Sequence, residues 1–275
     1  ATQHNVAVLR GRDCHFVGPA SGRLACGDDD VGRMSEPAEV AQVIARLLTA
    51  ADTAAPRDLA GRRVLVTAGP TRELIDPVRY LTNHSSGKMG YAIARAAARR
   101  GADAVLVSGP TSLTPPAGVE FVPIETTEQL RQAVVSRAPS CDAVIQAAAP
   151  SDFRPFEALD RKIKRTGGEL ALRLIPNPDI AAQLGREKRA GQVLVAFAAE
   201  TDDLIANARK KLAAKNADLV VANDVTQPGA GFGVDTNRVT LVSAAGERAL
   251  PLMEKAAVAD AILDEVAALL SRAPR

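Results

Sequence analysis

The feature that most constrains the fold is an alternation of short apolar segments with helical segments, which begins near Arg62 and continues to the end of the chain. The apolar segments are rich in Val, Leu and Ala, as in Arg63–Thr67 and Asp142–Ala147. Strands of this kind, separated by helices, are typical of a parallel sheet that is covered on both faces. We therefore predict an α/β fold: a doubly wound, mostly parallel, Rossmann-like sheet with helices on both faces and a small β flap.

Hydrophobic periodicity and capping residues predict the individual elements. The predicted strands are Arg63–Thr67, Ala104–Ser108, Val119–Pro123, Asp142–Ala147, Glu169–Leu174, Val193–Phe197 and Leu219–Ala222, followed by a hairpin of Val239–Val242 and Glu247–Leu250. The predicted helices are Gly87–Gly101, Thr126–Ala138, Asn177–Arg189, Asp202–Asn216 and Lys255–Ser271.

The first 50 residues have a different character. They contain a strand-like run at Asn5–Leu9, a stretch rich in glycine and aspartate at Gly18–Gly32, and a helix that Ser35 can cap and Pro37 can begin. An alanine-rich stretch with Pro56 follows and is typical of a linker. We therefore expect three parts, with boundaries at 1–50, 51–60 and 61–275.

Composition excludes several classes of protein. Hydrophobic residues make up 47% of the 275 residues, which excludes a disordered chain, and the net charge of +2 gives no indication of nucleic-acid binding. Cys14, Cys26 and Cys141 have neither zinc-ligand nor disulfide-framework spacing, which favours the cytoplasm. The sequence has no apolar run of membrane-spanning length, no signal peptide and no initiating Met. We expect no membrane partner and expect the chain to begin inside a longer protein.

Candidate ligand contacts follow the predicted strands, and ligands of such sheets bind beyond the carboxyl ends of strands. The first strand leads to the segment Asn83–Gly90, whose small residues open a helix and suit an anion. This segment is neither a Walker A loop, because Thr82 and Met89 break that pattern, nor a GxGxxG fingerprint. An ordinary helix capped by Ser85 or Ser86 is an equally good interpretation.

Other signals each have a simpler alternative. Asp152 follows a run of three alanines and could bind a metal or an amide, or could cap a helix. The basic run Arg161–Arg165 could clamp a phosphate or be a solvated surface, and the same choice holds for Lys211 and Lys215, which share a helix face. Phe197 could stack on a base or belong to the core.

Two short polar segments complete the pattern. Asn223 and Asp224 end a predicted strand but are common turn formers, and His84 is more typical of a loop than of catalysis. The order of these segments is more informative than any one of them. Each follows the carboxyl end of a predicted strand, so together they indicate a ligand site at one edge of the sheet.

Taken in order, the segments resemble a known family. VTAGPTRELIDPVRYLTNHSSGKMGYAIA, AAAPSDF, KIKR, NPDI, FAAET and AND are similar to phosphopantothenoylcysteine synthetase, over about Gly61 to Glu265. The stretch around Leu24–Asp28 and Gly32–Met34 resembles the tail of the partner decarboxylase domain, with Cys26 at the position of its catalytic cysteine. Its flavin-binding strands would lie upstream of Ala1. We therefore expect no decarboxylase activity from this chain alone.

The resemblance implies a ligase reaction: 4'-phosphopantothenate, L-cysteine and CTP give phosphopantothenoylcysteine, CMP and pyrophosphate through an acyl-cytidylate. By position, Lys162 matches an essential lysine on a flexible flap, and Asn83 matches the asparagine that holds the acyl-cytidylate. Arg79 matches a residue that reaches the substrate phosphate across a dimer interface. Gln146 stands where relatives often have glycine.

The remaining implied contacts fall into two sets. For CTP they are Ser85, Gly87, Gly90, Gln146, Ala147, Ala148, Asp152, Lys162, Pro178, Asp179, Ile180, Ala181, Phe197, Lys211 and Lys215. For phosphopantothenate they are Arg79, Asn83, Ala148, Ala149 and Asp152. The resemblance also implies Mg²⁺ with the nucleotide, a homodimer, and FMN only in the decarboxylase domain of the full-length polypeptide.

Two other functions fit this fold class. A Rossmann-type oxidoreductase that uses NAD(P) is disfavoured by the missing fingerprint. A non-catalytic regulatory subunit is disfavoured because Asn83, Lys162 and Asp152 are all present.

Overall fold

The computed structural model describes residues 1–10, 14–23, 29–54, 56–165, 167, 169–200, 202–224, 227, 229–231 and 233–272. The chain divides into two compact units, Ala1–Pro56 and Arg57–Arg275. This division falls inside the stretch 51–60 that the sequence predicts as a linker. Residues 51–54 continue a helix of the first unit, and Leu59 is fully buried in the core of the second.

Within its described residues, the first unit contains two helices and a two-stranded antiparallel sheet. Its elements are α1 (Thr2–Arg10), β1 (Ala20–Arg23), β2 (Asp29–Arg33) and α2 (Pro37–Ala54). The predicted strand at Asn5–Leu9 is wrong: Val6 and Leu9 lie three residues apart, which suits a helix as well as Val6 and Val8 suit a strand. Cys26 lies outside the described residues.

Helix α2 begins at Pro37, as predicted, but Ser35 does not cap it. The carbonyl oxygen of Glu36 accepts the first helical bond, from Val40 N at 3.1 Å, so Glu36 holds the capping position. Ser35 is buried, and a β-carbon on Gly18 would lie 2.7 Å from its hydroxyl oxygen.

The second unit alternates strands and helices. Its strands are β3 (Arg63–Ala68), β4 (Arg72–Asp76), β5 (Arg79–Thr82), β6 (Asp103–Ser108), β7 (Val119–Pro123), β8 (Ala143–Gln146), β9 (Phe153–Pro155), β10 (Leu174–Pro176), β11 (Val193–Glu200), β12 (Leu219–Asp224), β13 (Thr236–Asn237), β14 (Thr240–Ser243), β15 (Gly246–Ala249) and β16 (Met253–Glu254). Its helices are α3 (Lys88–Arg99), α4 (Thr127–Arg137), α5 (Ile180–Glu187), α6 (Leu204–Ala214) and α7 (Lys255–Arg272), with a single 3₁₀ turn at Ala138–Ser140.

Eight strands form the central sheet in the order β15-β14-β12-β11-β8-β3-β6-β7. From β12 to β7 every pairing is parallel, and β14 and β15 add an antiparallel hairpin at one edge. The predicted doubly wound α/β sheet is therefore confirmed. The chain runs from β3 outward to β6 and β7 and then returns to β8 on the other side of β3, so the strand order reverses between β3 and β8. Ligands bind at such a reversal.

Alternate residues of the strands face two separate helical layers. On one face, Val64 and Val66 belong to a buried cluster that includes Ile93 of α3 and Ile262 of α7. On the other face, the strand residues pack with α4 and α5 and, further along, with α6. Because the helices cover both faces of the sheet, a ligand reaches the strand reversal from the carboxyl edge of the strands.

Several elements differ from the sequence prediction. The strand predicted at Glu169–Leu174 instead begins at Leu174, and β10 pairs with β9 as a small two-stranded sheet. The hairpin β4–β5 is an element that the sequence pattern does not predict. Helix α5 begins at Ile180 rather than Asn177, because Asp179 caps it by accepting a hydrogen bond from Ala182 N at 2.9 Å.

Candidate active site

A cavity of about 670 Å³ opens at the carboxyl edge of the sheet, where the strand order reverses. Its walls come from the loop before α3, the segment after β8, the start of α5, the ends of β11 and β12, and the lysines of α6. These segments are far apart in the sequence, and the parallel topology brings them to one edge.

The cavity collects most of the residues that the sequence singles out. Those that line it are Asn83, Ser85, Gly87, Gly90, Gln146, Ala147, Ala148, Ala149, Asp152, Pro178, Asp179, Ile180, Ala181, Phe197, Lys211 and Lys215. Arg79 and Lys162 do not line it. The structure thus gathers the strand-end residues and leaves two basic residues outside.

The entrance to α3 is not an ordinary capped helix. Gly87 holds the capping position with a left-handed φ of 76°, and it has no side chain to cap the first amides. The hydroxyls of Ser85 and Ser86 lie 3.4 and 3.5 Å from the nitrogens of Gly87 and Lys88, at the limit of hydrogen bonding. The first amides of α3 are thus weakly satisfied at the cavity wall, which suits an anionic ligand.

Gly90 has a packing role as well. A β-carbon at this position would lie 2.6 Å from the β-carbon of Ala68 and 2.7 Å from the carbonyl oxygen of Thr67. Only glycine therefore lets α3 approach β3 this closely, and the approach sets the position of the helix entrance.

The segment after β8 is fixed by hydrogen bonds to the segment after β3. Ala148 N donates to Thr67 Oγ1 at 3.0 Å, and Ala149 N donates to the carbonyl oxygen of Gly69 at 2.9 Å. Asn83 Nδ2 donates to the carbonyl oxygen of Pro150 at 2.9 Å. These bonds hold Asn83 and the alanine run together across the strand reversal.

A buried polar network lies beneath this wall. Ser151 N donates to Thr71 Oγ1 at 2.9 Å, and the hydroxyls of Thr71 and Thr127 are 2.9 Å apart. Glu73, 4% exposed, accepts from both the amide and the hydroxyl of Thr127. Since these groups are satisfied inside the protein, the network fixes the loop at Ser151 and makes the cavity floor rigid.

Helix α6 and the residue that follows it, Lys215, contribute two cations to the wall. Lys211 Nζ donates to the carbonyl oxygen of Phe197 at 2.8 Å, and Lys215 pairs with Asp179. Burial acts to raise the pKa of Asp179, but hydrogen bonds from Lys215 and Ala182 N, with attraction to Lys211, hold that pKa below its usual range. Both lysines therefore face the cavity rather than forming a solvated surface.

Helices α5 and α6 touch at a glycine. A β-carbon at Gly185 would lie 1.8 Å from the carbonyl oxygen of Lys215, so only glycine fits. Asn216 Nδ2 also donates to the carbonyl oxygen of Gly185 at 2.8 Å. This contact sets the distance between Asp179 and Lys215 at the cavity.

Two further wall residues lie at strand ends. Phe197 is partly buried, and it both packs on the core and lines the cavity, so the two interpretations of this residue are compatible. Gln146 ends β8 between Thr67 and Ala196, and its buried Nε2 has no hydrogen-bond partner in the described structure. An orphaned buried donor at a cavity wall can be satisfied by a bound ligand or by water.

Several wall residues are missed or discounted by sequence reasoning. Asn223 is 8% exposed and lies inside β12 rather than in a turn, and Asn237 is 4% exposed. Asn177 Nδ2 donates to the carbonyl oxygen of Ser151 at 2.9 Å. Lys88 and Lys255 also line the cavity, and each is the first residue of a helix. The sequence signal for these lysines is a cation at a helix start, where the dipole disfavours it.

The segment that carries Lys162 lies elsewhere. Lys162 is exposed, and its neighbour Ile163 donates its amide to Asp76 Oδ2 at 3.1 Å. Arg79 Nη2 donates to the carbonyl oxygen of Ile163 at 2.7 Å. Asp76 and Arg79 thus tie this segment to the β4–β5 hairpin.

The described residues contain no group of three or more His, Cys, Asp or Glu side chains placed to hold a metal ion. Within the same residues, no helix combines the length and apolar character needed to cross a membrane.

Comparison with known proteins decides the family. The model of the DNA/pantothenate metabolism flavoprotein C-terminal domain matches residues 59–270. The chain belongs to this family. The family resemblance found in the sequence is thereby confirmed, and the match begins close to the boundary between the two structural units.

Relatives of this flavoprotein C-terminal domain include full-length proteins and solved domains. The coenzyme A biosynthesis bifunctional protein CoaBC of Bacillus subtilis (strain 168) is 49% identical over 271 residues, which are 98% of this chain and 66% of that protein. The crystal structure of a CoaBC C-terminal domain is 42% identical, with a TM-score of 0.68 over 78% of this chain and 98% of that one. A Cab2 mutant in complex with phosphopantothenate-cysteine, 22% identical, shares the fold with a TM-score of 0.66 over 86% of this chain and 95% of that one. The chain thus spans about two thirds of the length of the bifunctional relative.

Proposed function

We propose that this chain catalyses the CTP-dependent ligation of L-cysteine to 4'-phosphopantothenate in coenzyme A biosynthesis. The observation that carries the proposal is one cavity at the strand reversal that contains Asn83, the alanine run after β8, Phe197 and the lysines of α6. These residues match the nucleotide and acid contacts of the synthetase family, position by position. The bifunctional relative is named a coenzyme A biosynthesis protein, which supports a role of this chain in that pathway.

The first half-reaction joins two anions and therefore needs positive charge. The phosphopantothenate carboxylate attacks the α-phosphorus of CTP, an acyl-cytidylate forms, and pyrophosphate leaves with the electron pair of the broken bond. Lys211 and Lys215 hold the nucleotide, while the weakly capped amides of α3 face the phosphates. Lys162 supplies charge to the transition state from its separate segment.

The second half-reaction depends on orientation. The amine of cysteine attacks the acyl carbon, CMP leaves, and the amine loses a proton. Asn83 is held by Pro150 O beside Ala148 and Ala149, so its amide can fix the acyl group toward the amine. We propose that holding the two reactants in this geometry supplies most of the rate acceleration of this step.

We propose that Mg²⁺ would enter the site with the nucleotide. Two carboxylates line the cavity, but Asp179 is engaged by Lys215 and by the start of α5, which leaves Asp152 as the protein oxygen ligand that we propose. Mg²⁺ keeps several waters and binds phosphate oxygens, and it supplies further neutralisation of the triphosphate charge.

We also propose that the chain acts as a homodimer through the β4–β5 hairpin and the β9–β10 sheet. These two sheets and the segment between β9 and β10 carry exposed apolar side chains. The residues are Leu74, Val78, Tyr80, Phe153, Phe156, Leu159, Leu170, Leu172 and Leu174, each at least 39% exposed. An apolar patch of this kind is typical of a protein interface. Arg79 lies between Val78 and Tyr80, where it could reach a partner's substrate phosphate.

The relatives' extra length leads to a further proposal. A decarboxylase domain that holds FMN is the partner we propose within the full-length polypeptide. We assign residues 1–50 of this chain to the end of that domain, with Cys26 at the position of its catalytic cysteine.

Asn83→Asp tests the assignment. The wild-type chain should release pyrophosphate from CTP only when phosphopantothenate is present, and should form phosphopantothenoylcysteine when cysteine is added. Asn83→Asp should still release pyrophosphate but should accumulate acyl-cytidylate, detected by mass spectrometry. Absence of product from the wild-type chain, or a wild-type rate of ligation in the variant, would contradict the proposal. NADPH fluorescence titration tests the oxidoreductase alternative on the same sample.

A further inference from the structure

Two lysines of the cavity have no part in the chemistry described so far. Lys88 is the first residue of α3 and Lys255 is the first residue of α7. Lys255 is 6% exposed, and the side chain of Lys88 is 30% exposed. The positive end of a helix dipole repels a cation in the first turn. The fold therefore holds both ammonium groups where helix electrostatics alone disfavour them.

Both ammonium groups are held by the same short stretch of chain. Lys88 Nζ donates to the carbonyl oxygen of Gly233 at 2.9 Å and to Asp235 Oδ1 at 2.7 Å. Lys255 Nζ donates to the carbonyl oxygens of Gly231, at 2.9 Å, and Val234. An ammonium group has three N–H donors, and each lysine uses two of them on acceptors among the described residues, so a third donor can serve a ligand. The four acceptors are different groups of one stretch, and they hold the two cations close enough for Lys88 to repel Lys255.

The charges of this pair are not balanced. Asp235 is the carboxylate that serves both lysines, and its side chain is 78% exposed. Burial, followed by repulsion from Lys88, lowers the pKa of Lys255, and attraction to Asp235 offsets this only in part. An excess of positive charge in a cavity is stabilised by an anionic ligand.

The pair lies on the opposite face of the sheet from the lysines already assigned. Helices α3 and α7 pack on one face, whereas α6, with Lys211 and Lys215, packs on the other. Both faces meet at the cavity. The cavity thus offers two cationic groups at separate places, which suits a ligand with negative charge spread along its length.

We propose that Lys88 and Lys255 bind the β- and γ-phosphates of the nucleotide, the part that leaves as pyrophosphate. This inference rests on the proposed ligase function. When the bond between the α-phosphorus and its bridging oxygen breaks, the electron pair stays on pyrophosphate, and the two ammonium groups neutralise the charge that develops there. No proton transfer is needed in this step.

Calorimetric titration with inorganic pyrophosphate, CTP and CMP, each with Mg²⁺, tests this subsite. Lys88→Gln and Lys255→Gln should weaken the binding of pyrophosphate and of CTP by about tenfold or more, because each removes a charge-assisted contact. CMP, which lacks both phosphates, should bind within about twofold of wild type. Lys210→Gln, an exposed position on α6, is the matched control and should change none of the three affinities.

The variant Asp235→Asn tests whether Lys88 binds phosphate or has only a structural role. The variant removes the carboxylate that competes for Lys88, so it should tighten pyrophosphate binding about threefold. This measurement still tests the subsite if Lys255→Gln fails to fold. Unchanged CTP affinity in Lys88→Gln, or an equal loss of CMP and CTP affinity, would overturn the subsite. A wild-type chain that binds pyrophosphate through Lys88 but shows no ligation would overturn the proposed function and leave the subsite standing.

Discussion

The wall of the cavity and the segment that carries Lys162 are built in opposite ways. Wall residues such as Gln146 and Phe197 lie on central parallel strands. Gln146 is paired with strands on both sides, and Phe197 is paired with Val221 of β12. Lys162 is exposed, and its segment is tied to the β4–β5 hairpin through Asp76 and Arg79. The residues proposed to bind are thus rigidly placed, whereas the residue proposed to catalyse the first step lies outside the cavity.

This difference indicates that substrate binding and the chemical step depend on separate parts of the fold. Ligand binding at a rigid strand edge does not have to order the backbone, because that backbone is already fixed in the free protein. A segment held by a few hydrogen bonds can enter the cavity after the substrates are bound. The comparison therefore predicts that changes in the wall alter affinity, while changes in the segment alter the rate at unchanged affinity.

Lys162→Gln should give the largest effect. Loss of one preorganised charge from a transition state lowers the rate by roughly 10²–10³-fold. We expect pyrophosphate release to fall by about this factor in single-turnover assays, while the calorimetric Kd for CTP stays within about threefold.

Lys164→Gln is the matched control, since Lys164 is exposed in the same segment. It should keep more than about half of the wild-type rate, because general loss of surface charge is weak. A loss of CTP affinity in Lys162→Gln equal to its loss of rate would place Lys162 in the binding wall and remove the contrast between wall and segment.

Gly185→Ala should act on the wall instead. The new β-carbon would lie 1.8 Å from the carbonyl oxygen of Lys215, so α5 and α6 must separate. Overpacking of this kind costs about 1–3 kcal/mol of stability. We expect CTP affinity to fall about tenfold, while the rate at saturating CTP changes little.

Arg186→Ala is the control for this substitution, because Arg186 is the next residue of α5 and is exposed. Thermal unfolding of both variants would show whether Gly185→Ala has the expected cost. Wild-type CTP affinity in a stable Gly185→Ala protein would show that the α5–α6 contact does not set the wall.

The sequence predicts the wall better than the segment for a physical reason. Parallel strands are short apolar runs, and their carboxyl ends must meet at one edge, so Ala148, Asp152 and Phe197 can be grouped from the order of the strands alone. The buried strand Arg63–Ala68 matches its predicted range to within one residue. Periodicity and topology together are sufficient here.

Other parts depend on tertiary contacts that no local pattern shows. The hairpin β4–β5 escapes prediction because its strands are short and carry charged residues such as Arg72 and Arg79. The apolar alternation at Leu170, Leu172 and Leu174 predicts a longer strand, yet of these three only Leu174 pairs with β9. The sequence shows Lys255 only as the start of a helix, because nothing in its neighbourhood indicates that α7 begins at the cavity.

Asp76→Asn should have a smaller effect, on the segment alone. Asp76 accepts from the amides of Val78, Arg79 and Ile163 at 2.8, 2.9 and 3.1 Å, and a neutral amide accepts these bonds less strongly. We expect pyrophosphate release to slow by about three- to tenfold, with CTP affinity unchanged. Asp160→Asn, at an exposed position nearby, should leave the rate as it is. A wild-type rate in Asp76→Asn would show that this tie does not position Lys162.

The acid response of the same carboxylate should be the smallest effect. Burial acts to raise the pKa of Asp76, but amide hydrogen bonds and attraction to Arg79 hold it below 3.8 in the folded protein. A lowered carboxyl pKa stabilises the fold above the unfolded-state value, and this stabilisation is lost as the pH falls through 3.8 toward the folded-state pKa. Urea unfolding of wild type and Asp76→Asn at about pH 6 and about pH 3.5 should therefore show a smaller difference in unfolding free energy at the lower pH. A difference that stays constant would mean that the folded protein does not hold the pKa of Asp76 below its unfolded-state value.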